Sequence, residues 1–320
     1  MSITMLVMRS GALSVRCILV GITIMLAACS NKVGTSETST TVGATSAWTQ
    51  RSLPVTANWW TLAYGNGLFV AIAFNSSISA TSADGVSWTQ RSLPVTADWQ
   101  TITYGNSTFV LIAKNSTTAL TSSDGINWTQ RTLPVSANWT SVAFGNNTFV
   151  ALGDASTIAI SSPDGITWTQ RTLPVSTGWP AITYGNSTFV AVSSNTAAAT
   201  SPDGITWTQR TLPSTQNWRI TFGNGNFTTV GHNSSVAATS SDGINWTQQV
   251  MPTSTSWYAV TYGGTKFVAI GQSANSATSA NGSSWTSADA STTGSVSALA
   301  YGNSTFVALV YNSSTALTRQ

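Results

Sequence analysis

Most residues of this chain that could do chemistry recur at fixed intervals. Asp84-Gly85, Asp124-Gly125, Asp164-Gly165, Asp203-Gly204 and Asp242-Gly243 are followed, at the sixth place, by Asn281-Gly282. A carboxylate can act as acid, base or nucleophile; asparagine cannot, yet it serves a tight turn equally well. The series is therefore read as turn geometry: Asp-Gly between two strand patterns signals a type I′ hairpin with positive φ at both central residues. Arg51, Arg91, Arg131, Arg171 and Arg210 share another repeat position. Equivalent positions point outward around a ring and cannot converge on one substrate.

Outside the template stand Asp98, Asp154 and Asp289, the only material for a two-carboxylate glycosidase. His232 is the only histidine and no nucleophile-elbow motif accompanies it, so a serine triad is not expected, and a lone histidine reads as a loop or surface residue. No metal constellation stands out, and neither a cofactor nor a catalytic residue is expected.

The chain has 320 residues, of which 7% are charged against roughly 25% in ordinary soluble domains. Without Arg9 and Arg16 of the leader, 10 basic face 9 acidic residues, so neither nucleic acid nor an anionic membrane surface is an implied partner. Those two arginines precede an apolar run, Cys17 to Leu26, too short to span a bilayer but suited to a signal-peptide core. Leu26-Ala27-Ala28-Cys29 follows and resembles the lipobox of bacterial lipoproteins. The resemblance implies cleavage after residue 28, lipid attachment at Cys29 and, since Ser30 is not the aspartate that retains such proteins at the inner membrane, an outer-membrane address, periplasmic or surface-facing. The Ser/Thr-rich stretch to residue 43 is expected to be a flexible tether.

These positions need a scaffold, and the repeat provides it. Trp48, Trp88, Trp128, Trp168, Trp207, Trp246 and Trp285 open units spaced by 40, 40, 40, 39, 39 and 39 residues. Each unit reads as four short strands: one up to the Gly-Asn turn, an apolar one such as FVLIA, a third such as TTALTS, and, after Asp-Gly, a tryptophan strand followed by a proline loop. In the second strand both parities are apolar (Phe69, Ala71, Ala73 against Val70, Ile72), so it must be covered on both faces. Radial stacking of such sheets is the propeller solution. The expectation is an all-β, seven-bladed β-propeller over residues 44–320. Its last unit lacks the tryptophan strand, and the N-terminal segment from Ala44 to Arg51 supplies it and closes the ring. A monomer is expected.

The run SADGVSW from Ser82 to Trp88 and its copies resemble the Asp-box of sialidase-type (BNR-like) propellers, shortened by one residue between Asp and Gly. The resemblance implies the propeller fold and a hairpin between third and fourth strands, and no activity, since the box lies away from that family's catalytic centre. The family's tyrosine nucleophile needs a glutamate; here Glu37, in the tether, is the only one.

A second tryptophan series, Trp59, Trp99, Trp139, Trp179, Trp218 and Trp257, with Val296 at the seventh place, begins the innermost strands and is read as packing between blades rather than as sugar platforms. Five residues after the phenylalanine of each second strand the repeat stops repeating: Phe74, Lys114, Asp154, Ser194, His232, Gln272 and Tyr311 all differ. With the off-template Arg219 they mark the candidate binding face of a non-catalytic envelope scaffold, its partner an envelope protein or a glycan. A carbohydrate-binding lectin or degenerate sialidase-like glycosidase is the alternative.

Overall fold

The computed structural model describes residues 9–10, 13–14, 47–289 and 294–320. The chain divides into two compact units, Met1–Ala44 and Thr45–Gln320. In the first, Arg9–Ser10 pairs antiparallel with Leu13–Ser14. Cys29, Glu37 and the tether lie outside the described residues.

The second unit is a seven-bladed β-propeller in which every blade is a four-stranded antiparallel sheet. Blade two is typical: Trp99–Gly105, Thr108–Ala113, Ser116–Ser122 and Thr129–Ala137 run from the axis outward. Its second strand is buried on both faces from Phe109 to Ala113, as the double-parity apolar pattern demands. The inner-strand tryptophans from Trp59 to Trp257 are fully buried wedges.

The first hairpin of each blade carries the type I′ turn. Asn66 and Gly67 have φ of 47° and 77°, Asn106 and Ser107 45° and 55°, and Asn303 and Ser304 44° and 58°. Asparagine tolerates this left-handed backbone because its short amide can bond locally. In the Asp-Gly pairs only the glycine is left-handed, Gly85 at φ 74°, for instance. The expected type I′ turn at Asp-Gly is therefore displaced to the Gly-Asn hairpin, and Asp-Gly sits in a longer loop between Ser82 and Thr89.

Consecutive blades interlock through an aromatic-glycine step that ends each inner strand. A Cβ on Gly65 would stand 2.1 Å from the Tyr104 ring of blade two, and one on Gly105 2.0 Å from the Phe144 ring of blade three. Gly302 meets Tyr64 of blade one in the same way, which carries the stacking across the junction between the last blade and the first. The side chain is excluded because the neighbouring ring already fills its place.

Blade seven takes its outer strand from the start of the propeller. Thr49–Ala57 pairs antiparallel with Ser313–Arg319, with Thr49 opposite Thr318 and Ala57 opposite Ser313. The closing strand thus runs further than Arg51, and Ala44 to Ser46 fall outside the described residues. Pro54 lies inside this strand rather than in a loop, as do its counterparts in blades one, two, three and five. Among the described residues no fifth strand joins these outer strands in a sheet, so the N–H that proline lacks has no ladder partner to miss. Trp48, 4% exposed, wedges against Val268 and Ile270 of blade six and donates Nε1–H to Ser276 Oγ at 3.2 Å.

Candidate binding face

The two ends of the propeller differ in chemistry. At one end lie the Asn turns and the Asp-Gly loops. Asp124 Oδ1 accepts the N–H groups of Ile126 and Asn127, each at 2.8 Å, and the Ser122 hydroxyl at 2.9 Å, while Gly125 N–H goes to Ser122 Oγ at 2.8 Å. The pattern repeats at Asp84, Asp164, Asp203 and Asp242. At Asn281 the carboxamide oxygen takes the same N–H groups, from Ser283 and Ser284. The site needs an acceptor oxygen, not a charge. For Asp124 and Asp242, N–H groups donated to the carboxylate, with Asn127 and Asn245 foremost, hold its pKa well below the ordinary range. At Asp164 and Asp203 burial opposes the shift, and the hydrogen bonds still prevail.

The five template arginines lie on outer strands, and each donates Nε–H to a hydroxyl of the third strand: Arg51 to Thr318, Arg91 to Thr81, Arg131 to Thr121, Arg171 to Ser161 and Arg210 to Thr200. They tie two strands together and are distributed one per blade.

The opposite end holds the turns between second and third strands and the connections between blades. The backbone N–H of Phe74, Lys114, Asp154, Ser194, Gln272 and Tyr311 donates to the carbonyl of the residue before each inner strand, from Asn58 to Ser295. A funnel of about 610 Å³ opens at this end. Asp154, Ser194 and Tyr311 line it together with Arg219. Phe74 and His232 reach it through neighbours: Phe74 packs on Trp60 at 5.6 Å between ring centroids, and His232 stands edge-on to Tyr258 at 5.3 Å. Lys114 and Gln272 are not among the lining residues.

A second ring of unlike residues, unnoticed in the sequence apart from Arg219, forms the funnel wall. The position after each inner-strand wedge reads Trp60, Gln100, Thr140, Pro180, Arg219, Tyr258 and Ser297, and all seven are half-buried in the wall. The signal was present as seven different residues at one repeat position. It was masked because the tryptophans beside them claimed attention as core.

Not every member is free to meet a ligand. Thr140 donates its hydroxyl to the Trp179 carbonyl at 2.5 Å and Ser297 to the Trp59 carbonyl at 2.7 Å, so both latch neighbouring blades. Asp154 is committed likewise: Oδ1 accepts Trp179 N–H at 3.0 Å and Oδ2 the Asn138 amide at 3.1 Å. Arg219 uses Nη1 on Asn217 Oδ1, at 2.8 Å, and on the Trp218 carbonyl. Burial lowers its pKa from the usual arginine value, and burial together with the Arg219 charge lowers that of His232. Trp60, Phe74 and Tyr311 form an aromatic cluster on one wall, with Trp60 and Tyr311 edge-to-face at 6.0 Å.

Residues 95–217 match a family described as the DUF6242 beta propeller domain. No curated protein matches the chain. Among solved structures, a virginiamycin B lyase from Staphylococcus aureus superposes with a TM-score of 0.76 at 11% identity, covering 85% of this chain and 98% of that one. YCF48 bound to a D1 peptide gives 0.68 at 16%, covering 85% and 94%. The Pan2 WD40 domain of Neurospora crassa gives 0.67 at 9%, covering 86% and 96%. At such identities the likeness is one of fold: the chain is a β-propeller whose structural neighbours include a lyase, a peptide-binding protein and a WD40 domain.

Proposed function

We propose that this chain is a non-catalytic binding scaffold of the cell envelope, exported and held by a lipid on Cys29, and that it engages its partner with the funnel end of the propeller. One observation carries the reading: in a repeat otherwise nearly uniform, two sets of seven unlike residues fall at the same end, one lining the cavity throughout and the other contributing Asp154, Ser194 and Tyr311 to it. Loops and strand ends on a rigid scaffold are where recognition residues sit. A neighbour of the same fold was solved with a peptide bound, which supports a proteinaceous partner for this one. The loop end is built for geometry, in the manner of a shortened Asp-box, since Asn281 replaces aspartate there without loss of the bonding pattern.

Against catalysis stands the commitment of Asp154, whose two oxygens hold the Trp179 backbone and the Asn138 amide. A carbohydrate reading is favoured by one feature, the Trp60, Phe74 and Tyr311 cluster beside the neutral hydrogen-bonding groups of Gln100 and Ser194. Exposing the immobilised protein in parallel to a glycan array and to detergent-solubilised envelope separates the two. Retention of envelope proteins supports the scaffold; glycan hits alone overturn it in favour of a lectin.

A further inference from the structure

The seventh blade ends where the other six form their loop. Ser82, Ser122, Ser162, Ser201, Ser240 and Ser279 each stand opposite the phenylalanine of the second strand and give their hydroxyl to the loop Asp or Asn. In blade seven the residue opposite Phe306 is Arg319. Its side chain therefore leaves the strand toward the place where the other blades hold a loop carboxylate or carboxamide. Arg319 is 3% exposed, and its Nε and Nη1 have no hydrogen-bond partner. Its guanidinium lies 6.0 Å from the Trp48 ring centroid. It lines a notch of about 340 Å³ bounded also by Arg51, Asp84, Asn303, Thr305 and Thr318. Lys266 stands close by, with Nζ 3.4 Å from the Gln320 oxygen, and burial, with Arg319's charge second, lowers its pKa.

An arginine buried with unpaired donors is costly unless an acceptor meets it. Arg51 and Lys266 add positive charge; of the acceptors in the wall, Asp84 spends Oδ1 on Val86, Ser87 and Ser82, and Gln320 accepts from Lys266 Nζ. We propose that this notch is an oxyanion site: it takes a carboxylate, sulfate or phosphate group on the Arg319 guanidinium, in the position that a side-chain oxygen of the loop Asp or Asn holds in the other six blades. A planar guanidinium fork suits such groups. Binding there joins the closing strand to blades seven and one, so it should stabilise the ring.

The test is thermal unfolding of the full chain in sulfate against chloride at matched ionic strength, for the wild type and for Arg319→Met. Because sulfate also stabilises proteins by exclusion from their surface, the Arg319-dependent difference is the readout. At ten times the dissociation constant the wild-type folding equilibrium should tilt by roughly tenfold more than the variant's, a rise of a few degrees. If Arg319→Met does not fold, Arg319→Lys keeps the charge without the fork and should show a weakened sulfate response. Equal sulfate responses in wild type and both Arg319 variants would overturn the proposal.

Discussion

Asn303 in blade seven donates its Nδ2–H to the carbonyl of Ala83 in blade one, 3.2 Å away, so the ring is latched across its junction by the bond that links blade to blade elsewhere. Asn66 reaches Ser123, Asn106 reaches Pro163, Asn146 reaches Pro202, Asn186 reaches Ser241 and Asn224 reaches Ala280. Between blades six and seven, Gly264 replaces the asparagine, and Lys266 bonds Gln320 instead.

Closure of the ring is expected to matter more than any single wedge in it. Trp48→Ala should cost about 3 to 5 kcal/mol, as large core truncations do, and Asn303→Ala about 1 kcal/mol for one exposed hydrogen bond. Deleting residues 47–57 removes the whole closing strand and bares the edge of Ser313–Arg319. Urea denaturation should show it less stable than Trp48→Ala; a near-wild-type midpoint for the deletion would remove the closure account.

The inter-blade glycines give a sharper packing test. Gly105→Ala must push its methyl into the Phe144 ring, and overpacking of that kind costs about 1 to 3 kcal/mol or more. Gly67→Ala, which meets nothing within 4 Å but sits at φ 77°, tests backbone strain alone. Thermal melts of the two variants should separate crowding from strain, with Gly105→Ala the less stable.

The loop aspartates predict a pH dependence. Their folded pKa values lie below the unfolded value near 4, so the stability they supply is complete above about pH 4 and is lost as pH falls through the depressed native values. Asp124→Asn should keep the fold, as Asn281 does, and flatten the acid limb of the stability curve below pH 4. Asp124→Ala removes the acceptor and should cost about 1 to 2 kcal/mol at neutral pH. Equal stability for the two would show that the oxygen does not matter.

His232 titrates below its ordinary value because burial and the Arg219 charge disfavour its protonated form. Its neutral state is therefore favoured by folding, and that stability is full above the unfolded value near 6.5 and lost as pH drops through the native one. Arg219→Gln should raise the His232 pKa, which NMR titration of the single imidazole reads directly. No movement would mean that the Arg219 charge does not reach His232.

Most of the fold was legible because the repeat spells out its strand pattern seven times, with the tryptophan strand at Trp48 standing apart at the start and a last unit that lacks one. Turn types were less legible. Asp-Gly and Asn-Gly are both hairpin signals, and only the register, Gly65 opposite Leu68, shows that the two-residue turn belongs to Asn66-Gly67. Pro54 pointed to a loop, but an outer strand without a further partner tolerates it. Half of the candidate face escaped because residues such as Trp60 and Tyr258 differ in type yet stand beside the tryptophan wedges, where variety looks like core tolerance until their direction toward the axis is known.

On the proposed function the funnel end, not the loop end, makes the contact. Quantitative capture from native envelope compares three chains: wild type, a funnel variant with Trp60→Ala, Arg219→Gln, Tyr258→Ala and Tyr311→Ala, and a loop-end control with Asn66→Asp and Asn106→Asp. The melting temperature of each is measured alongside. Wild type and control should retain the same species, and a still-folded funnel variant should lose them. Retention by the funnel variant, or loss from the control alone, would contradict it.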